Sequence, residues 1–359
     1  MTSGRIPRLP TATGFAARRA VVALRNHNID PAPMLELHGL SEPDVNTDQI
    51  RVSAAAQARF LESAAEALHD PALGLHLAQG VNPREMGVLF YVTSAGKDLG
   101  EALALLARYC RIVNEAIRIQ LKKRDKDLVV EGEFVGVARF RATQNAEFGI
   151  AVVVKMLRDI TGRNIHPTSI TLPHVRNAHS REFERFCGCT IEFGGPSGQV
   201  VFSPQTLAAP LLTQDVHLLE VLRPICDEAA KQRETAPGSL RAAIENEAQK
   251  LLPHGKAQRH NIAKRLAMST RTLARRLAQE GTTFEDVVDE LRRSLAMQYI
   301  KTPSISLSQM AWLLGYEGST SFNHAFRRWT GAPPSAARLE RMLPPPAAIS
   351  SLKSHGART

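Results

Sequence analysis

The sequence has little cysteine and few aromatic residues. Phe, Trp and Tyr make up 5% of its 359 residues, and its four cysteines form no CxxC pair, with only Cys187 and Cys189 close together. This pattern provides neither a disulfide framework nor a zinc-binding motif, and it is typical of a reducing cytosol. We therefore expect a cytoplasmic protein without a metal or a cofactor.

A long hydrophobic segment is also missing. Residues 150–160 are the most apolar stretch, but they include Lys155, Arg158 and Asp159 and fall short of the ~18 residues that a membrane span needs. The N-terminal residues carry Arg5 and Arg8 without the apolar core of a signal peptide. The sequence predicts a soluble protein with no membrane partner.

Motifs of common enzyme classes are absent as well. The chain has no Walker A sequence, no GxGxxG after a strand, no HExxH and no GxSxG. His166, His174 and His179 lie in or near predicted loops without an evident carboxylate or nucleophile, so we interpret them as ordinary surface or hydrogen-bonded histidines. The sequence favours a protein that is not an enzyme and has no catalytic residues.

Positive charge, by contrast, is in excess and is concentrated near the C-terminus. The chain has 45 Lys and Arg residues against 35 Asp and Glu, a net charge of +10. From Pro237 onward there are 18 basic and 9 acidic residues, whereas the first 236 residues have 27 basic and 26 acidic ones. We expect the last third to meet an acidic partner, either nucleic acid or an anionic membrane surface.

The first block, residues 16–210, has the pattern of an α+β domain in which helices come first and a small sheet follows. Ser53 is placed to cap a helix to about His69, and further helices are predicted from about Leu99 and over residues 144–161. Alternation over residues 117–121 and 128–134 predicts a β-hairpin whose turn is the charged segment 122–127. The remaining predicted elements are strands at 169–172, 191–193 and 199–202 and a helix at 181–186. This block is either a sensor or a plain folded domain with no chemistry of its own.

A linker helix is predicted within residues 211–237. It runs from Asp215 to Gln232. Its apolar stripe consists of Leu218, Val221, Leu222 and Ile225. Packing of this stripe against the first block and a contact between two copies in a homodimer both fit the pattern.

The last block, residues 238–343, is predicted to be all helical. Ser239 is placed to cap a helix to Leu252, and residues 258–266 form the next helix. After a turn at 267–269, a third helix runs over residues 270–280 and is closed by Gly281. A helix, a tight turn and a capped helix of about ten residues form a helix-turn-helix unit.

The third helix of this unit has two distinct faces. Leu273 and Leu277 are four residues apart and share one face. Arg271 and Arg275 lie roughly 200° around the axis from Leu273, because each residue advances by about 100°. One face is suited to anchoring the helix, and the other presents guanidinium groups.

The same pattern occurs a second time. Ile262-Ala263 and Leu266 correspond to Met310-Ala311 and Leu314, and the pair Leu273 and Leu277 corresponds to Phe322 and Phe326. Between the two units, Thr283 is placed to cap a helix over residues 284–300, ended by Pro303, that spans about 25 Å. A rigid helix of that length can hold two recognition helices near one DNA turn apart, about 34 Å. One chain is therefore expected to read two successive major grooves.

These residues resemble the DNA-binding domain of AraC/XylS-type transcription regulators over about 100 residues. The residues that carry the resemblance are Ile262-Ala263, Leu266, Met268–Leu273, Arg275–Leu277, Glu280-Gly281, Phe284, Arg292, Ala296, Ala311, Leu314–Tyr316, Ser319, Phe322, Ala325–Trp329, Gly331 and Pro333-Pro334. Asp70–Leu75, Leu99–Leu103, Phe186–Cys189 and Phe193-Gly194 resemble the N-terminal effector domain called arabinose-binding-like in a subgroup of that family. The name of that domain is not a ligand assignment.

The resemblance implies a set of DNA-contacting residues. The base-reading positions of the family fall on Thr270, Arg271, Ala274 and Arg275 in the first unit and on Ser319, Thr320, Asn323 and His324 in the second. Many members have arginine where His324 stands. A neutral imidazole offers a single donor and cannot form the bidentate contact that a guanidinium forms with a base. Arg276 lies beside the first set, Arg327 and Arg328 are expected to meet phosphates, and Trp329 is expected to pack the last helix.

The resemblance also implies partners. These are double-stranded promoter DNA, RNA polymerase and a small-molecule effector whose identity and binding residues the sequence does not reveal. Activation is expected rather than repression, by analogy with the family.

Two alternatives remain beside a regulator. A DNA-repair alkyltransferase fused to the same DNA-binding domain would need a reactive cysteine and a multi-cysteine zinc site, and Cys110, Cys187, Cys189 and Cys226 fit neither. An effector-independent DNA-binding protein would leave the nearly neutral first block of more than 200 residues without a purpose.

Overall fold

The computed structural model describes residues 10–47, 50–135, 137, 142–174, 180–195, 197–233, 240–300, 302 and 305–342. Several predicted features lie outside these residues: His179, the linker end at Pro237, the cap at Ser239, the helix stop at Pro303 and the C-terminal boundary at residue 343. Within the described residues, no helix is both long enough and apolar enough to cross a membrane.

The N-terminal half begins with helices. They are α1 (Phe15–Asn26), α2 (Ala32–Leu37), α3 (Glu42–Val45), α4 (Ala54–Ala67), α5 (Leu73–Gln79), α6 (Val88–Ser94) and α7 (Leu99–Tyr109). A short antiparallel pair, β1 (Thr11–Ala12) and β2 (Val52–Ser53), precedes α4. Oγ of Ser53 accepts a hydrogen bond from the N–H of Ala56, so the predicted cap is confirmed.

A mixed five-stranded sheet follows within the described residues. Its elements in chain order are β3 (Ile117–Arg124), β4 (Asp127–Phe134), α8 (Thr143–Thr161), β5 (Ser169–Leu172), α9 (Ser180–Cys187), β6 (Thr190–Phe193) and β7 (Gly198–Phe202). The spatial order is β3-β4-β7-β5-β6, with β5 and β6 parallel and the other neighbours antiparallel. The α+β class and the small sheet agree with the sequence prediction.

The predicted hairpin turn at residues 122–127 is wrong in length. β3 and β4 pair from Ile117 with Phe134 to Arg124 with Asp127, which leaves Asp125 and Lys126 as the turn. Asp125 has the positive φ of 55° that such a tight turn requires. The lysines at 122 and 123 belong to the strand because β3 is an edge strand with exposed side chains, where charge does not oppose pairing.

Two of the apolar cores in the N-terminal half share α8. Ala151 of α8 packs in the core with α1, α4 and α5, whereas Leu157 packs in the core with α6 and α7. Gly74 of α5 lies so close to α8 that a Cβ at this position would clash with the carbonyl oxygen of Gln144. The Asp70–Leu75 motif therefore contains the glycine at which α5 and α8 approach closely.

The connecting region consists of α10 (Pro204–Leu207) and α11 (Val216–Lys231). Leu218 and Leu222 pack against the core of α6 and α7, as one of the two interpretations predicted. Val221 and Ile225 of the same stripe are 50% and 55% exposed. One half of the apolar stripe is thus packed against the N-terminal core and the other half faces solvent. The homodimer stays a prediction.

The C-terminal part is all helical in the described residues and has a core of its own. Its helices are α12 (Leu240–Leu251), α13 (Arg259–Arg265), α14 (Thr270–Gln279), α15 (Phe284–Tyr299), α16 (Leu307–Leu313), α17 (Ser319–Thr330) and α18 (Pro334–Met342). The internal repeat is confirmed by burial. Nine of the ten matched positions, all except the half-buried Leu266, are at most 2% exposed: Ile262, Ala263, Leu273 and Leu277 in the first unit and Met310, Ala311, Leu314, Phe322 and Phe326 in the second.

Candidate DNA-binding interface

The first helix-turn-helix unit is α13, the turn Leu266–Ser269 and α14. Ala267 has a positive φ of 52° in this turn, and the N–H of Met268 donates to the carbonyl oxygen of Ala263 at 2.9 Å. Oγ of Ser269 then caps α14 by accepting from the N–H of Thr272 at 3.1 Å. The turn and cap fix the direction in which α14 leaves the core.

The outward face of α14 contains the side chains that the sequence assigns to DNA. Leu273 and Leu277 are fully buried and anchor the helix. The residues assigned to DNA are all exposed: Thr270, Arg271, Ala274, Arg275 and Arg276. Among the described residues, the three arginines have no ion-pair or hydrogen-bond partner, so their donors are available to an acidic ligand.

The second unit repeats this arrangement with α16 and α17. Gly315 starts the turn with a φ of 73°, and a Cβ here would clash with the backbone of Leu252, so this position requires glycine. Phe322 and Phe326 are fully buried. The residues of α17 that face solvent and match the predicted set are Ser319, Thr320, Asn323, His324, Arg327 and Arg328.

Arg328 differs from the other arginines of these helices because it is already paired. Its Nη2 lies 2.6 Å from Oδ1 of Asp289 on α15. Nε1–H of Trp329 donates to the other carboxylate oxygen of Asp289 at 2.9 Å. Trp329 also packs against the C-terminal core, as predicted. Asp289 therefore ties the end of α17 to α15, a role that the sequence reasoning missed.

The linking helix α15 holds both units. Near its start, Glu285 accepts two hydrogen bonds from Arg259 of α13, at 2.6 and 2.7 Å. Further along, Nε–H of Arg292 donates to the carbonyl oxygen of Leu314 at 3.0 Å, and its guanidinium lies 5.0 Å from the ring centre of Tyr316. Contacts from a single helix thus hold the start of α13 and the turn of the second unit.

The helix α12 joins the DNA-binding part to the N-terminal sheet. Nδ2 of Asn246 donates to the carbonyl oxygens of Phe134 and Val137 at 3.0 and 3.1 Å. Asn246 is only 6% exposed, and Nζ of Lys250 lies 3.9 Å from the carboxylate of Glu133. This contact has no signature in the sequence, because asparagine is common at any solvated helix surface.

The cysteines lack the environment of a reactive thiolate. Burial raises the pKa of Cys110 and Cys189 to about 11 and that of Cys187 to about 12. Burial also raises the pKa of Cys226. All four are therefore neutral thiols near pH 7, which argues against the alkyltransferase alternative.

The two described histidines of the predicted loops have hydrogen-bond partners. His174 is buried with its Nε2 2.7 Å from Oε1 of Glu147, a carboxylate partner that the sequence did not reveal. His166 lies with Nδ1 3.3 Å from the carbonyl oxygen of Cys187. Both fit the interpretation of hydrogen-bonded structural histidines.

The comparisons with known proteins agree with this geometry. Residues 29–211 match the family described as the arabinose-binding domain of AraC transcription regulators, N-terminal, and residues 262–340 match a helix-turn-helix domain family. The ornithine utilization regulator of Pseudomonas aeruginosa is 28% identical over 272 residues, which are 74% of this chain and 78% of that protein. The HTH-type transcriptional regulator VirS of Mycobacterium tuberculosis is 26% identical over 313 residues, 87% of this chain and 91% of that protein.

A solved structure, the transcriptional regulator CdpR from Pseudomonas aeruginosa, is 22% identical and has a TM-score of 0.40, with 86% of this chain and 96% of that chain covered. The family match over residues 29–211 takes in about half of the sequence, and the second match runs from within α13 through the whole second helix-turn-helix unit. The chain therefore belongs to the AraC-type transcription regulators and is a DNA-binding protein of that family.

Proposed function

We propose that the chain is an effector-responsive transcription activator. In this proposal residues 16–210 sense a small molecule, residues 238–343 read promoter DNA, and residues 211–237 link these two domains. A single chain inserts α14 and α17 into two successive major grooves. RNA polymerase contact and a homodimer stay predictions, as does the absence of enzymatic activity.

One observation carries the DNA-reading part of this proposal. Two helices place exposed polar and basic side chains at matched positions above fully buried apolar pairs. Arg271 and Arg275 on the first helix have no partner among the described residues, so forming a bidentate contact to guanine breaks no existing ion pair.

The second helix is expected to contribute fewer base contacts. Asn323 has the geometry for adenine, whereas His324 offers a single donor in its neutral form. Arg327 is exposed without a partner among the described residues and suits a phosphate. Arg276 is suited to a phosphate in the same way.

The test begins with selection of an operator from random duplex DNA by the full-length protein. Arg271→Ala is expected to weaken binding to the selected operator by about 1–3 kcal/mol and to relax base preference at one position. Binding to random DNA should change much less. Arg185→Ala, which removes an exposed positive charge from α9 of the sensing domain, is the matched control and should leave operator affinity unchanged.

The outcome that contradicts base reading is an equal loss on operator and random DNA, because that result makes Arg271 a phosphate contact. If full-length protein selects no preferred sequence at all, the proposal of a sequence-specific regulator fails.

A further inference from the structure

A cavity of about 220 Å³ lies inside the N-terminal domain, between the five-stranded sheet and helices α1, α4, α7 and α8. Its walls include Ile119, Val130 and Phe134 from the sheet and Leu106, Phe148 and Val152 from the helices. Protein interiors normally contain few voids larger than a water molecule. An apolar cavity of 150 Å³ accommodates benzene, so this one has room for about ten nonhydrogen atoms.

The helix α8 keeps this space open with a glycine. Gly149 lies in the middle of α8 and lines the cavity, and a Cβ at this position would meet no atom within 4 Å. Glycine inside a helix costs stability relative to alanine. The chain thus has glycine at a position where a larger side chain would fit and would fill the cavity.

The polar groups at the cavity are few, and one lacks a partner. Gln57 is 3% exposed, and its Nε2 donates to Oδ1 of Asn145 at 3.4 Å. Oε1 of Gln57 is buried without a hydrogen-bond partner among the described residues. A buried carbonyl oxygen of this kind is stabilised by a donor, and a ligand hydroxyl in the cavity would supply it.

The lack of cationic side chains among the described residues at the cavity disfavours anionic ligands. The described residues that line the cavity include no Lys, Arg or His, and the acidic one, Glu133, lies 3.9 Å from Nζ of Lys250. A carboxylate ligand would therefore be buried without a cation. A sugar would leave most of its hydroxyl groups unpaired against apolar walls.

We infer that this cavity binds a neutral, largely apolar molecule of about ten nonhydrogen atoms whose single hydroxyl donates to Oε1 of Gln57, and that this molecule is the effector. The inference rests on the proposed effector-responsive function. Phe134 lines the cavity, and its carbonyl oxygen accepts the hydrogen bond of Asn246 on α12. A ligand against Phe134 is thus one residue away from the DNA-binding part.

Binding of 4-propylphenol to the full-length protein tests the inference by isothermal titration calorimetry. The wild type is expected to bind it with a dissociation constant below about 100 µM. L-Arabinose and 4-propylbenzoate should bind at least about tenfold more weakly, because the cavity offers neither hydroxyl partners nor a cation.

Variants of two lining residues locate the ligand. Gly149→Leu fills the space and should abolish binding, whereas the matched Gly149→Ala should retain it. Gln57→Leu should weaken the binding of 4-propylphenol by about threefold to tenfold, the effect of one hydrogen bond. It should leave the binding of propylbenzene unchanged. No binding by the wild type, or binding that survives Gly149→Leu, overturns the inference.

Operator affinity with and without 4-propylphenol separates the inference from the proposed function. Binding that shifts operator affinity supports both. Binding without any shift supports the cavity as a ligand site and contradicts its role as the effector site. A shift caused by L-arabinose with no binding of 4-propylphenol overturns the inference and leaves the effector-responsive function standing.

Discussion

The side-chain amide of Asn246 donates to the main-chain carbonyl oxygen of Phe134 at 3.0 Å and so joins the first helix of the DNA-binding part to the last residue of β4. A second hydrogen bond, to Val137, extends the same contact. Because Phe134 lines the cavity, this contact is a direct route from a ligand to the DNA-binding part.

Asn246→Ala tests this route. The change leaves two carbonyl oxygens without their amide donor, so we expect the free energy of unfolding to fall by about 1–3 kcal/mol. Ligand binding and operator binding should each persist, while the effect of ligand on operator affinity shrinks. Urea denaturation and operator titrations with 4-propylphenol measure the two quantities.

Asn261→Ala is the matched control for this change. Asn261 also donates from Nδ2, at 3.0 Å to the carbonyl oxygen of Lys256, but this contact stays within the C-terminal part. It should lower stability by less than about 1 kcal/mol and leave the ligand effect intact. Equal ligand effects in wild type and Asn246→Ala would show that coupling takes another route.

Arg327 and Arg328 are neighbours with different expected roles. Arg327 has no partner among the described residues, whereas Arg328 is paired with Asp289 and lies 5.8 Å from the ring centre of Trp329. Arg327→Ala should therefore reduce the slope of log affinity against log salt by about one. Arg328→Ala should change that slope less and lower thermal stability more.

The comparison uses operator binding at several salt concentrations and a thermal unfolding curve for each variant. The Arg328 pair is exposed, so its loss should cost no more than about 1 kcal/mol. If Arg328→Ala changed the salt slope as much as Arg327→Ala, Arg328 would be a phosphate contact, as the sequence predicts.

The repeated apolar pattern explains why the C-terminal part could be predicted from the sequence. Leu273 and Leu277 recur as Phe322 and Phe326 at the same spacing, and burial of these local pairs fixes which face of each recognition helix is exposed. Local periodicity therefore determines both the fold and the candidate DNA-contacting face.

The contacts that the sequence did not reveal are nonlocal and polar. Asp289 is 40 residues from Trp329 in the chain, and Asn246 is 112 residues from Phe134. The cavity depends on the space left between strands and helices that are far apart in sequence. The periodicity within one helix or strand does not indicate contacts between distant elements. For this reason the cavity could be found only in the structure.

Gly74→Ala tests the close approach of α5 and α8. A Cβ at Gly74 would clash with backbone atoms of Gln144, which cannot move aside as a flexible side chain could. We expect a loss of about 1–3 kcal/mol in the free energy of unfolding, typical of overpacking. Gly149→Ala, another glycine-to-alanine change in a helix, should be neutral or stabilising by up to about 1 kcal/mol.

Urea denaturation of both variants checks this prediction. Gly74→Ala as stable as the wild type would mean that α5 and α8 separate without cost. Destabilisation by Gly149→Ala would indicate that the space beside α8 is smaller than the cavity implies.

His76 is expected to make the stability of the N-terminal domain depend on pH. Nδ1 lies 2.7 Å from Oδ2 of Asp70, and Nε2 lies 3.0 Å from Oε1 of Glu182 on α9. Burial acts to lower the pKa of His76, but the hydrogen bonds to these two carboxylates outweigh it, so the pKa is raised above 6.5. The folded state therefore favours the imidazolium.

The sign of the effect follows from proton binding. Since folded His76 binds its proton more tightly than the unfolded chain, its stabilisation is complete below about pH 6.5 and is lost as the pH rises through the raised pKa. The pKa of His38 is shifted the opposite way, lowered by burial and by the charge of Arg59. Its contribution is therefore lost as the pH falls.

His76→Gln and His38→Gln form a matched pair for this test. We compare the free energy of unfolding of the wild type with that of each variant between pH 6 and pH 9. The difference between wild type and His76→Gln should decrease as the pH rises, and the difference between wild type and His38→Gln should increase. Because His76 is partly exposed, the change should stay within about 1 kcal/mol. The two differences should have opposite slopes, and parallel slopes would mean that the carboxylates of Asp70 and Glu182 do not hold the imidazolium in solution.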